Sequence, residues 1–237
     1  MSAPRIMTHL VASFPNWDAS LEIGKGLVDG GSSFLEVQFP FSDPTADGPD
    51  IQLACDEALR DGFTTQRGFE LIEELRAYTS IPIAVMSYAN LIFQNGVAHF
   101  VKLCHSAGAN AIIAPDLPTD QDEGLYDAGV SEGIDVIPVV VLSTVTERLR
   151  SILRRTETEL VYAALRKGIT GSYTEISEEN VKFLRTIKEL GGRPMAGFGI
   201  RERDQVRALC PHVDYVVVGT LFLQLLRNNP EISPQKS

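Results

Sequence analysis

A chain of 237 residues, 44% of them hydrophobic, fits one large domain with a sizeable core. Thirty-one acids against 21 bases leave a formal charge of −10 with no basic cluster, which argues against nucleic acid or an anionic membrane surface as a partner. Cys55, Cys104 and Cys210 are odd in number and far apart, and His9, His99, His105 and His212 are scattered, so neither a disulfide framework nor metal-ligand spacing is present and reduced thiols are expected. Residues Met1–Met7 offer no apolar run of signal-peptide length, and the longest apolar stretches, such as Val136–Leu142, are of strand length. The expectation is a cytoplasmic protein.

Eight short apolar runs, each followed by an amphipathic segment, set the order of elements. Thr8–Ser13 reads as the first strand, with Asp18 as N-cap of a helix carrying Leu21, Leu27 and Val28. Phe34–Val37 is the second strand; Ile51–Leu59 and Phe69–Tyr78 are helical, divided by Asp61-Gly62. Ile81–Ser87, Asn110–Ala114, Asp135–Leu142, Leu160–Ala164, Pro194–Gly197 and Asp214–Val218 supply the other six strands. Helices are expected over Gly96–Ser106, near Glu123–Ser131, from a Thr144-Val-Thr-Glu147 capping box to Arg155, over Ser177–Leu190 and Arg201–Leu209, and from Leu221 to Leu226. Parallel strands need crossover helices, so this alternation points to an α/β fold, a closed (β/α)8 TIM barrel. Residues 1–237 are expected to form a single domain, with a loosely ordered tail near 228–237. In that fold chemistry sits on the loops that follow the strands.

The loop after the second strand is unusual. Glu36 lies among Phe34, Leu35, Val37 and Phe39, where an ionised carboxylate is costly, and the chain then breaks into three prolines, a glycine and three aspartates up to Asp50. Taken from composition alone, Glu36 is either a satisfied buried acid or a functional one, and Asp43 and Asp47 are either turn formers or ligands. The loops after strands seven and eight, Gly197-Phe-Gly-Ile200 and Val218-Gly-Thr220, each lead into a helix. Glycines there let a phosphate approach backbone N–H groups without any lysine.

The run Phe41-Ser-Asp-Pro-Thr-Ala-Asp-Gly-Pro49 closely resembles the Pro-Phe-Ser-Asp-Pro-x-Ala-Asp-Gly-Pro signature of the tryptophan synthase alpha subunit, and the similarity runs in order through nearly the whole chain. The resemblance implies a lyase that cleaves indole-3-glycerol phosphate to indole and glyceraldehyde 3-phosphate by a retro-aldol reaction. It implies Glu36 and Asp47 as catalytic carboxyls. Tyr162, Phe198, Met86 and Tyr88 would contact substrate, and Gly171, Gly199, Gly219 and Thr220 would hold its phosphate. Arg166 and Thr170 match a loop, Leu165-Arg-Lys-Gly-Ile-Thr-Gly171, that closes over substrate as a lid. Pro40, Asp43, Pro44 and Asp116 would face a beta subunit carrying pyridoxal phosphate in an alpha-beta-beta-alpha heterotetramer, which the alpha chain activates allosterically. No metal or organic cofactor is implied in this chain itself.

Several positions depart from the family pattern. His9 stands where an aromatic is usual, Gln38 replaces a glycine beside Glu36, Leu165 replaces a serine and Lys167 a small residue. The chain also starts close to the first strand, without most of the N-terminal helix found in relatives. These departures keep open an alternative function, a weakly active or inactive alpha subunit acting mainly as activator of the beta subunit. A different phosphate-binding barrel, such as an isomerase, is a further alternative that the Ser42–Pro49 run argues against.

Overall fold

The computed structural model describes residues 5–165, 176–197 and 199–229. Strands β1 (Arg5–Val11), β2 (Phe34–Gln38), β3 (Ile83–Met86), β4 (Ala111–Ile113), β5 (Asp135–Ile137), β6 (Val139–Val141), β7 (Leu160–Ala164), β8 (Arg193–Gly197) and β9 (Tyr215–Val218) pair in parallel in the order β5-β4-β3-β2-β1-β9-β8-β7-β6. The expected fifth strand is therefore two pieces. Proline has no N–H to give to a ladder, so Pro138 divides it into β5 and β6. The Pro138 carbonyl still accepts from the Tyr162 N–H at 2.9 Å, and the strand's two halves serve opposite neighbours, which closes a (β/α)8 barrel through that point.

Helices α1 (Trp17–Asp29), α2 (Pro49–Arg60), α3 (Thr65–Tyr78), α4 (Ala89–Asn95), α5 (Val97–Ser106), α6 (Leu125–Glu132), α7 (Thr146–Arg155), α8 (Glu178–Glu189), α9 (Arg203–Leu209) and α10 (Thr220–Asn228) connect the strands. None of the described helices is long and apolar enough to cross a membrane. Two expected caps differ. Asn16, not Asp18, caps α1, its side chain accepting from Ala19 N at 2.9 Å, and Asp18 falls in the first turn, where a negative charge suits the helix dipole. At α7 the N-cap is Val145, because the Thr144 hydroxyl turns back to accept from Val141 N at 3.1 Å. Ser177 caps α8 reciprocally with Asn180.

The two-residue period of the strands divides the core. Leu35 and Val37 of β2, Ile83 and Val85 of β3 and Ile112 of β4 point outward against the helices. Phe34, Ala84, Met86, Ile113, Ile137, Met195, Tyr215 and Val217 fill the barrel interior. By the same alternation Glu36 and Gln38 share the inward parity of Phe34, and the β1–β2 register pairs His9 with Glu36. Glu36 thus faces the barrel interior by register, not by local preference.

Candidate active site

A cavity opens where the interior layer ends at the C-terminal side of the strands. His9, Glu36, Gln38, Asp47, Met86, Tyr162, Gly199, Gly219 and Thr220 all line it. Residues more than 200 positions apart in sequence meet here because barrel closure sets β1 against β9. Ile113, Val139 and Val217 supply apolar wall. Their only sequence signal was inward parity near a strand end.

Glu36 is 3% exposed. Burial, reinforced by the negative charge of Asp47, pushes its pKa from 4.5 up to about 8, so at neutral pH the carboxyl carries its proton. Asp47 is also buried, and burial raises it from 3.8 to about 6. Hydrogen bonds donated by the Tyr88 hydroxyl at 2.8 Å and the Gln38 amide at 2.7 Å, both to Oδ2, hold that rise down. At neutral pH the cavity therefore contains one protonated and one ionised carboxyl, the separation of roles that acid–base chemistry by two acids requires. Tyr162, partly accessible, has its pKa raised by burial and then by the charges of Glu36 and Asp47, so it stays a neutral phenol. Its ring lies over Gly197, where an added Cβ would come within 2.7 Å of the hydroxyl.

Tyr88 reaches the acidic loop from β3. Its ring stacks on Phe41 with centroids 5.2 Å apart, and its hydroxyl oxygen accepts from the Ala46 N–H at 3.1 Å. Asp47 is positioned by this tyrosine as much as by its own loop. Asp116, after β4, accepts from Ala89 N at 2.9 Å and so covers a free N–H at the start of α4, a helix not foreseen from sequence.

The two glycine loops are unequal. At the first, Gly199 adopts φ +77, a conformation that favours glycine, and the Gln205 side chain holds the segment: its oxygen accepts from Arg201 N and Glu202 N, and its amide donates to the Gly199 carbonyl. The N–H groups of Arg201 and Glu202 are thus engaged before α9 begins. At the second, α10 opens on Gly219 with no side-chain cap, and Thr220 faces the cavity. An uncapped helix start with its positive dipole end toward a cavity is the better anion seat of the two.

Of the remaining expected residues, Phe198 and the lid residues Arg166, Lys167, Thr170 and Gly171 lie outside the described residues, as do positions 230–237 of the tail. Leu165 is not beside the pocket. It is buried in the outer core with Phe183 and Leu184, and its carbonyl accepts from the Asn180 amide at 2.7 Å, so an apolar residue there is explained by packing. Among the expected partner-facing residues Asp43 and Asp116 are exposed, whereas Pro40 and Pro44 are buried and stiffen the loop from within. Among the described residues no cluster of His, Cys, Asp and Glu has metal-site geometry.

The tryptophan synthase alpha chain family model matches residues 2–236. The chain belongs to the tryptophan synthase alpha chain family. The Helicobacter hepaticus tryptophan synthase alpha chain is 36% identical over 98% of this chain and 90% of its own length, and that of Methanothermobacter thermautotrophicus is 38% identical over 93% and 82%. Solved structures agree. The Pyrococcus furiosus tryptophan synthase α2β2 complex superimposes with a TM-score of 0.89 at 29% identity, covering 98% of this chain and 94% of that one. The Mycobacterium tuberculosis tryptophan synthase gives 0.88 at 27% over 98% and 89%. The family is one of lyases, and its alpha-chain barrel is the one seen here.

Proposed function

We propose that this alpha chain cleaves indole-3-glycerol phosphate to indole and glyceraldehyde 3-phosphate. The reading is carried by the opposed protonation of Glu36 and Asp47 in a cavity that Gly199 and Gly219 also line. The phosphate sits at the uncapped start of α10, at Gly219 and Thr220, and the indole lies between Met86 and Tyr162 beside the two acids. Protonated Glu36 gives its proton to C3 of the indole, and ionised Asp47 accepts the ring N–H and stabilises the positive charge that develops there. The Glu36 carboxylate then takes the proton of the hydroxyl on the adjacent side-chain carbon. The O–H electrons become the carbonyl of the leaving aldehyde, the C–C bond breaks, and its pair returns to the ring. Glu36 ends protonated, ready for another turn. Each such proton transfer is typically worth ~10²–10⁴ in rate. The sequence of steps calls for no metal or organic cofactor in this chain.

The partner is a beta subunit, in a two-alpha, two-beta assembly, that uses the indole and carries pyridoxal phosphate. Its contact surface on this chain is the exposed rim of the acidic loop, Ser42, Asp43 and Thr45, with Asp116 nearby in the loop after β4. The same loop holds Asp47 at its inner end, so ligand in the cavity and pressure on a partner act on one segment. A cytoplasmic location and a single-domain chain accompany this reading.

The test is release of indole from indole-3-glycerol phosphate, with and without a beta subunit, by the parent and by Glu36→Gln. A large drop on losing the carboxyl supports the lyase reading. Equal slow release by both proteins, with equal stimulation of the beta reaction, replaces it with the activator reading.

A further inference from the structure

His9 and Gln38 stand where the alpha-subunit pattern has an aromatic and a glycine, and they form a chain of hydrogen bonds with a fixed direction. Gln38 Nε2 lies 2.7 Å from Asp47 Oδ2, and Gln38 Oε1 lies 2.7 Å from His9 Nε2. An ionised carboxylate only accepts, so the glutamine amide nitrogen faces Asp47 and its oxygen faces the histidine. The proton of His9 must then be on Nε2, and Nδ1 is left as a bare acceptor. Nδ1 is buried and has no hydrogen-bond partner among the described residues. It lies against the phosphate seat, since a Cβ placed on Gly219 would be only 2.9 Å away. Burial lowers the pKa of His9 to about 4, so the ring is neutral and offers no charge to an anion.

A phosphate dianion has no proton to give to a bare acceptor, so Nδ1 is unsuited to its oxygens. A hydroxyl on the carbon chain next to the phosphate suits it, because it supplies the missing donor. We infer that His9 is the residue by which this pocket selects hydroxylated phosphate monoesters, Nδ1 accepting a hydrogen bond from a chain hydroxyl next to the phosphate. The inference rests on the phosphate seat proposed at Gly219. A ligand with that hydroxyl satisfies Nδ1 and one without it leaves Nδ1 as it was, a difference that translates into roughly tenfold in binding.

Calorimetric titration with glycerol 3-phosphate and with propyl phosphate, which carries the same phosphate and no hydroxyls, tests this in the intact chain. The parent should prefer glycerol 3-phosphate about tenfold. His9→Leu should lose that preference by weakening the hydroxylated ligand alone, leaving propyl phosphate within about twofold of the parent. His9→Asn, whose side-chain oxygen can take the place of Nδ1 and accept as it does, should keep the preference. His9→Phe carries the same comparison if His9→Leu does not fold. A parent that binds both phosphates equally, or an apolar variant that keeps the preference, overturns the inference and leaves the phosphate seat standing. An apolar variant with native circular dichroism that weakens both ligands alike also overturns it, because His9 is then structural. Failure of the parent to bind either phosphate refutes the seat itself, and the inference with it.

Discussion

The Tyr88 hydroxyl donates to Asp47 Oδ2 at 2.8 Å while its oxygen accepts from the Ala46 N–H at 3.1 Å, so one phenol at the end of β3 fixes both the backbone and the carboxylate of the acidic loop. Tyr88→Phe removes that donor and acceptor. Unfolding by urea should show a loss of about 1–2 kcal/mol, the usual cost of leaving buried partners unmet. Asp47 also loses a bond that favours its ionised form, so the acid side of the pH–activity profile should move to higher pH. A variant with the parent's profile would show that Asp47 is held by Gln38 alone.

Activity should be confined between two pKa values. Asp47 must be ionised, which requires a pH above about 6, and Glu36 must carry a proton, which requires a pH below about 8. Indole release measured from pH 5 to 9 should trace a bell with limbs near those values. A profile flat across that range would refute the assigned roles.

The same two acids make stability depend on pH in a stated direction. Glu36 has a pKa of about 8 in the folded chain against 4.5 as its reference, so between those values the folded state holds a proton that the unfolded state has lost. Its contribution therefore falls as pH rises from about 4.5 to 8, and Asp47 adds the same sign between 3.8 and about 6. His9, depressed from 6.5 to about 4, acts in the opposite sense between those values. Glu36→Gln cannot ionise, so its melting temperature relative to the parent should climb as pH increases from 5 to 8. An unchanged difference across that range would mean that Glu36 titrates normally.

Gly68 tests the outer core independently of the site. Phe39 lies beneath α3 within a cluster of Phe63, Phe69 and Phe100, and a Cβ on Gly68 would come within 2.6 Å of the Phe39 ring. Gly68→Ala should destabilise the chain by about 1–3 kcal/mol through overpacking, despite the better helix propensity of alanine. A gain in stability would show that the ring shifts freely.

Asp43 tests the partner surface. It is exposed, its carboxylate accepts from the Ser42 hydroxyl at 2.6 Å, and its carbonyl accepts from Thr45 N at 2.8 Å. Asp43→Ala should alter stability by no more than about 0.5 kcal/mol, as exposed substitutions usually do. Stimulation of the beta reaction should fall by a larger factor than the chain's own indole release. Full stimulation by the variant would remove the acidic loop from the coupling path.

The sequence by itself determined the alternation of strands and helices, the acidic loop after β2 and the glycine loops before α9 and α10, because each is written in local chemistry: apolar period, proline and aspartate breaks, glycines ahead of helices. It determined the family as well, since a run with fixed prolines and acids admits few relatives. Only the tertiary structure decided that Pro138 splits a strand, that Leu165 turns to the outer core, and that Gln205 takes the N–H groups at the first glycine loop. Above all it decided that His9 and Gln38 form one directed chain to Asp47, ending in a bare nitrogen beside Gly219. The reason is physical. Local preference follows from neighbours along the chain, whereas burial, tautomer and shifted pKa depend on what barrel closure brings next to a group, and for His9 that neighbour is 210 residues away.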